Sequence, residues 1–191
     1  MINFFRNFIF FLFIFFKPFF SNSVEITNIA SVDNYSITNY DLSHRVSILK
    51  KIQNKQISDE NLNAIIENLI NEKVKEIEIN KNKIEINKQI IINQFNARYS
   101  NNFDTSTLNY EIKKFLMEKI KRDLQWNELL NKKFYNKLTV NLSEINEVIK
   151  SRNIPEEKKE EFIMMEKNKK LASISNNYFN FIKSQKYIKI Y

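Results

Sequence analysis

The 191-residue chain has no cysteine and no glycine, a single histidine, a single tryptophan and two prolines. Each absence removes a class of function. Without cysteine there is no disulfide framework, so the fold must rest on its apolar core. Without glycine, phosphate-cradling loops, dinucleotide fingerprints and nucleophile elbows cannot take their usual form. Each of them relies on glycine for close backbone approach or positive φ. Turns fall instead to asparagine and aspartate, which tolerate left-handed backbone. His44 has no second histidine or cysteine with which to build a zinc site. It lies between Ser43 and Arg45, off the apolar stripe of its helix, and reads as a surface residue.

What the chain does have is charge and apolar side chains. The formal net charge is +8, from 30 basic and 22 acidic residues. Lysine and glutamate alternate along the helical stretches without forming a block of one sign. That pattern suits a solvated surface better than a groove for a polyanion. The first residues, MINFFRNFIFFLFIFFKPFFSNS (1–23), carry Arg6, an unbroken apolar run from Phe8 to Phe16, and Ser21 and Ser23 at −3 and −1 spacing. This is the order of a secretory signal peptide cleaved after Ser23. Lys17-Pro18 interrupts the run before the roughly 20 residues that a spanning helix needs. An uncleaved anchor that also uses Phe19 and Phe20 is the alternative. Export would leave residues 24–191 as a single domain.

In that domain, Ile26, Ala30 and Val32 alternate with Thr27, Ile29 and Ser31. Asp33-Asn34 and the run Tyr35 to Thr38 then complete a predicted hairpin. Thr38 and Asp41 have capping-box spacing, so a helix should begin near Asn39 with Leu42, Val46 and Leu49 inward. Ser58 is expected to cap the next helix, whose stripe runs Leu62, Ile65, Ile66, Leu69, Ile70, Val74, Ile77. A third helix is predicted over 87–99 with Ile90, Ile91 and Phe95 inward. A fourth should run from near Ser106 to about Leu138, and a short one should be capped by Ser143. The last helix is predicted from about Glu156 to Ser184, with Ile163, Met164, Leu171, Ile174, Tyr178, Phe181 and Ile182 on one stripe. Residues 187–191 alternate like a strand and need a partner elsewhere in the chain.

No residues assemble into an active site, and the reading is non-enzymatic, with no cofactor and no metal. Glu156, Glu157, Glu160 and Glu161 sit at a helix start, where negative charge complements the dipole. Trp126 reads as core. Met164 and Met165 read as helix-face packing, with an adaptable binding surface as the alternative.

The stretches IASVDNYSITNYDL (Ile29 to Leu42) and ISDENLNAIIENLINEKVKEIEINK (Ile57 to Lys81) resemble the opening hairpin and first helices of the SurA-type periplasmic chaperones. IKRDLQWNELLNKKFYNKLTVNLSEINEVI (Ile120 to Ile149) is similar to the next long helix and linker helix of that family. The closing helix and strand resemble its C-terminal segment. The resemblance implies a mainly α fold, a multi-helix bundle with a small antiparallel sheet in which Tyr187 to Tyr191 pairs with the N-terminal hairpin. Residues 24–153 and 154–191 would complete one core. It also implies a holdase that binds unfolded outer-membrane or exported polypeptides in an apolar groove, with no nucleic-acid partner and no stable membrane insertion after cleavage. Phe95, Tyr99, Phe103 and Tyr110 are the groove candidates. Where that family inserts prolyl-isomerase modules, only KSRNIP (Lys150 to Pro155) stands here, so isomerase activity is expected to be absent. An envelope adaptor that binds one folded partner is the alternative.

Overall fold

The computed structural model describes residues 25–53, 57–99, 108–139 and 141–191; the expected leader, 1–23, lies outside the described residues. The first two elements among the described residues are the hairpin strands β1 (Asn28–Val32) and β2 (Tyr35–Thr38), with Ala30 opposite Ile37 and Val32 opposite Tyr35. Asp33 in the turn takes φ 51°, supplying the left-handed geometry without glycine. Ala30, Val32 and Ile37 are sealed in the core, whereas Ile26, placed beside them by simple alternation, is exposed. The register slips between Asn28 and Ala30, so the period-two count does not extend back to Ile26.

The helices are α1 (Asn39–Gln53), α2 (Asp59–Lys81), α3 (Lys88–Tyr99), α4 (Tyr110–Leu138), α5 (Leu142–Ser151) and α6 (Lys159–Ser184). A 3-10 turn (Glu156–Lys158) precedes α6, and β3 (Ile188–Ile190) follows it. The fold is mainly α with one antiparallel sheet in the order β2–β1–β3. Ile188 pairs with Val32 and Ile190 with Ala30, so the closing strand does return to the hairpin. Tyr191 N–H donates to the Ile29 carbonyl (3.1 Å) and Asp33 N–H to that of Tyr187 (2.8 Å). The Asp33 carboxylate ties the corner by accepting from Lys186 Nζ (2.8 Å) and Tyr187 N–H (3.0 Å). The Lys186 hydrogen bond is the main reason its pKa falls below the usual value.

Local signals explain several helix ends, although Ser58, which stands at the N-cap of α2 as expected, makes no side-chain capping hydrogen bond. At α1 the capping box closes reciprocally: Thr38 N–H donates to Asp41 Oδ2 (2.8 Å) and Asp41 N–H to Thr38 Oγ1 (3.3 Å). The cap of α5 is Asn141, which accepts from Ser143 N–H (3.1 Å), and not Ser143 itself. Both residues are good caps, and the helix takes the earlier one. α2 and α5 each end in a Schellman motif. Ile84 N–H bonds the Ile79 carbonyl (3.3 Å) and Lys83 N–H that of Asn80 (3.1 Å), while Ile154 and Asn153 repeat the pattern onto Ile149 and Lys150. The left-handed residue is Lys83 in one and Asn153 in the other, each at φ 51°. A lysine there carries a Cβ penalty of roughly 1 kcal/mol. Lys83→Gly is therefore expected to stabilise the protein by about 0.5–1 kcal/mol, and Asn153→Gly by less, measured by urea denaturation.

Two apolar cores share α4. One joins the sheet, α2, the second half of α4 and α6 around Ile70, Val74, Trp126, Leu129 and Leu130. The other joins α3 to the first half of α4 around Ile91, Phe95, Leu116 and Ile120. The helical phase differs from expectation at four positions. Ile48, between the expected inward residues of α1, is the one sealed from solvent, because α1 is wedged against both α2 and α4. Ile90 is exposed, since α3 packs on α4 and leaves its other side open. Met164 and Phe181 are exposed too. Phe179 takes the inward place on α6, beside Leu171, Ile174 and Tyr178. Among the described residues no helix is long and apolar enough to cross a membrane.

Candidate functional site

The site is built from α3 and the first half of α4. α3 is preceded by Asn87, whose side chain caps it by accepting from Gln89 N–H (2.8 Å). Asn109 does the same for α4, accepting from Glu111 N–H (2.8 Å). With both starts fixed, Ile91 and Phe95 interlock with Leu116 and Ile120. The surface above that contact is a cleft of about 420 Å³. Ile91, Met117 and Tyr110 supply its apolar lining, and Lys88, Lys113, Lys114 and Lys121 surround it. Among the described residues Glu118 is the one carboxylate in the lining.

The four aromatic residues proposed for a groove fall in different places. Tyr110 lines the cleft and is 77% exposed. Phe95 is 2% exposed and fills the core beneath it, so its ring is packing and not wall. Tyr99 is half-buried and packs on Phe95, with ring centroids 5.4 Å apart. Phe103 lies outside the described residues. The lysines and Met117 were missed. Their signal is in the sequence all the same: Lys113, Met117 and Lys121 recur every four residues and form one stripe on α4.

The chain matches no known family model and no curated protein. The site therefore has to be judged on its chemistry. A second cleft, of about 370 Å³, opens between α1 and α4 and shares Tyr110, Lys114 and Glu118 with the first. Its lining is mixed in charge, with Asp41, Arg45 and Arg122 among its residues. Beside it, Arg45 grips Glu72 with two hydrogen bonds (2.9 and 2.7 Å), and Arg122 lies 3.1 Å from the same carboxylate. Burial works against ionisation of Glu72, but the Arg45 hydrogen bonds and the nearby Arg122 charge outweigh it, and the pKa is lowered. This cluster links α1, α2 and α4 as a structural tie.

His44 is exposed on α1 and stacks on Tyr40 at 6.2 Å. Among the described residues no group of three or more histidine, aspartate or glutamate side chains is placed to hold a metal ion. The cleft offers apolar contact ringed by positive charge. Among the described residues its ionisable side chains are Tyr110, Glu118 and the four lysines.

Proposed function

We propose that the chain is a periplasmic holdase, which binds unfolded outer-membrane or exported polypeptides without prolyl-isomerase activity. The observation that carries this reading is the open apolar cleft between α3 and α4, with Tyr110 standing exposed at its edge. The pairing of β3 with β1, which the resemblance to SurA-type chaperones implies, supports it as well. Burying one client side chain in such a cleft contributes roughly 1.5–3 kcal/mol, which by itself holds a client only weakly. Weak, adaptable contact suits a protein that must release what it holds. Unfolded barrel strands, with alternating apolar residues, are suitable clients because they otherwise aggregate.

Purified protein in several-fold molar excess is expected to suppress light scattering from an outer-membrane barrel diluted out of urea. Met117→Asp, which puts a charge on the cleft floor, should remove most of that effect. No suppression by the parent protein rules the proposal out. High-affinity capture of one folded partner, with no effect on aggregation, favours the adaptor reading. A proline-limited refolding reaction should run at its uncatalysed rate. The intact mass of the exported protein is expected to begin at residue 24.

A further inference from the structure

We infer that the α3–α4 cleft selects extended segments in which an apolar residue lies between two acidic ones, in the pattern acid–x–apolar–x–acid. This deepens the holdase reading and rests on it. Three observations carry it. First, among the described residues the lining is unbalanced: Lys88, Lys113, Lys114 and Lys121 face one carboxylate, Glu118. Second, none of those four lysines forms an ion pair among the described residues, and all four are exposed, Lys113 with its ammonium 5.9 Å from the centroid of the Phe95 ring. A cleft lined with one sign of charge concentrates ligands of the other.

The third observation is spacing. Lys113 and Lys121 are eight residues apart on a continuous helix, which sets them about 12 Å apart along its axis. Met117 lies midway between them and contributes apolar lining. In an extended polypeptide, residues i and i+4 are about 13 Å apart. Residues i, i+2 and i+4 also share one face. Carboxylates at i and i+4 therefore reach the two lysines while the side chain at i+2 lies over Met117. A single-headed anionic lipid has one charge to place and cannot meet both positions at once. The matching ligand is a polypeptide.

The test uses fluorescein-labelled peptides built around Asp-x-Phe-x-Asp, Ser-x-Phe-x-Ser and Lys-x-Phe-x-Lys, with anisotropy read against the full exported protein. Each exposed ion pair changes affinity by a factor of about two to five. The Asp peptide is thus expected to bind roughly tenfold tighter than the Ser peptide. The difference should collapse at about 1 M salt, where the screening length falls to about 3 Å. The double variant Lys113→Glu/Lys121→Glu should reverse the order in favour of the Lys peptide. Both lysines are exposed, so circular dichroism should show an unchanged fold. Equal binding of all three peptides, abolished by Met117→Asp, overturns the charge selection and leaves the holdase cleft standing. An order that survives the double variant overturns the inference too, as does displacement by anionic micelles with no peptide bound. Absence of both peptide binding and aggregation suppression removes the two readings together.

Discussion

Trp126→Ala is expected to lower the unfolding free energy by about 3–5 kcal/mol, the range for truncating a buried large aromatic side chain. The residue is 4% exposed and stands where α4 meets α6. Its ring lies 5.8 Å from that of Tyr178 in a stacked arrangement and 6.4 Å from that of Phe179, edge to face. The Lys75 ammonium sits 5.2 Å from the ring centroid on another side. The indole N–H donates to Ser175 Oγ at 2.8 Å. Truncation opens a cavity among these groups and leaves the Ser175 hydroxyl without its donor. The packing loss dominates, because one neutral hydrogen bond contributes only about 0.5–1.5 kcal/mol net. Trp126→Phe is the milder truncation: it keeps a six-membered aromatic ring, loses the N–H and two ring carbons, and should cost about 1–3 kcal/mol. For a domain whose whole stability is about 5–15 kcal/mol, the alanine variant is near the edge of folding. Urea denaturation followed by far-ultraviolet circular dichroism measures both. A loss under 1 kcal/mol for Trp126→Ala would mean that α6 does not dock on α4 as described.

The elements legible in the sequence are those whose signal is local. The Asp33-Asn34 turn, the Thr38–Asp41 capping box and the Ser58-to-Ile77 stripe each depend on residues within a few positions of one another. The pairing of β3 with β1 spans most of the chain and came from the resemblance, not from the residues alone. What the pattern misplaced depends on neighbours. Ile90 and Ile91 look equally apolar, and only the position of α4 decides that Ile91 is buried. Phe179 and Phe181 differ in the same way, because α6 turns one toward Lys75 and Trp126 and the other toward solvent. The cleft was legible in part. Aromatic residues near the α3–α4 junction stand out in the sequence, but the lysine–methionine stripe resembles any solvated helix face until α3 is placed beside it. The least legible residue was Glu78. It sits among alternating lysine and glutamate and looks like surface, yet its partners are up to 100 positions away.

That buried carboxylate leads to a large and pH-dependent effect. Glu78 Oε1 accepts from Tyr178 Oη (2.6 Å), Asn82 Nδ2 (2.9 Å) and Lys133 Nζ (3.0 Å), which joins α2, α4 and α6 at one atom. Burial alone would raise its pKa, but the hydrogen bonds from Tyr178, Lys133 and Asn82 outweigh it, and the pKa falls below the ordinary 4.5. Its contribution to stability is therefore fully present above about pH 4.5 and is lost as pH drops through the folded-state value. At the alkaline end, burial of Lys133 favours its neutral form, but the adjoining Tyr178 and Glu78 oxygens prevail and raise its pKa above 10.5. That contribution is complete below 10.5 and is lost as pH rises through the raised value.

Lys133→Met removes the one cation and leaves a carboxylate whose side chain is 8% exposed. Removing one partner of a buried pair costs about 3–5 kcal/mol. Because the Lys133 side chain is itself 32% exposed, about 2–4 kcal/mol is expected here at pH 7. The penalty comes from a charge left without its counter-ion, so two results should follow. Near pH 4 the variant's deficit relative to the parent should shrink as Glu78 takes up a proton. The double variant Glu78→Gln/Lys133→Met should be more stable at pH 7 than Lys133→Met alone. Asp33 and Glu72 also have lowered pKa values and add to the acid sensitivity of both proteins, so the informative quantity is the difference between variant and parent at each pH. A constant difference across that range, or single-variant losses that simply add in the double, would show that Lys133 acts through the packing of its aliphatic stem and not through its charge.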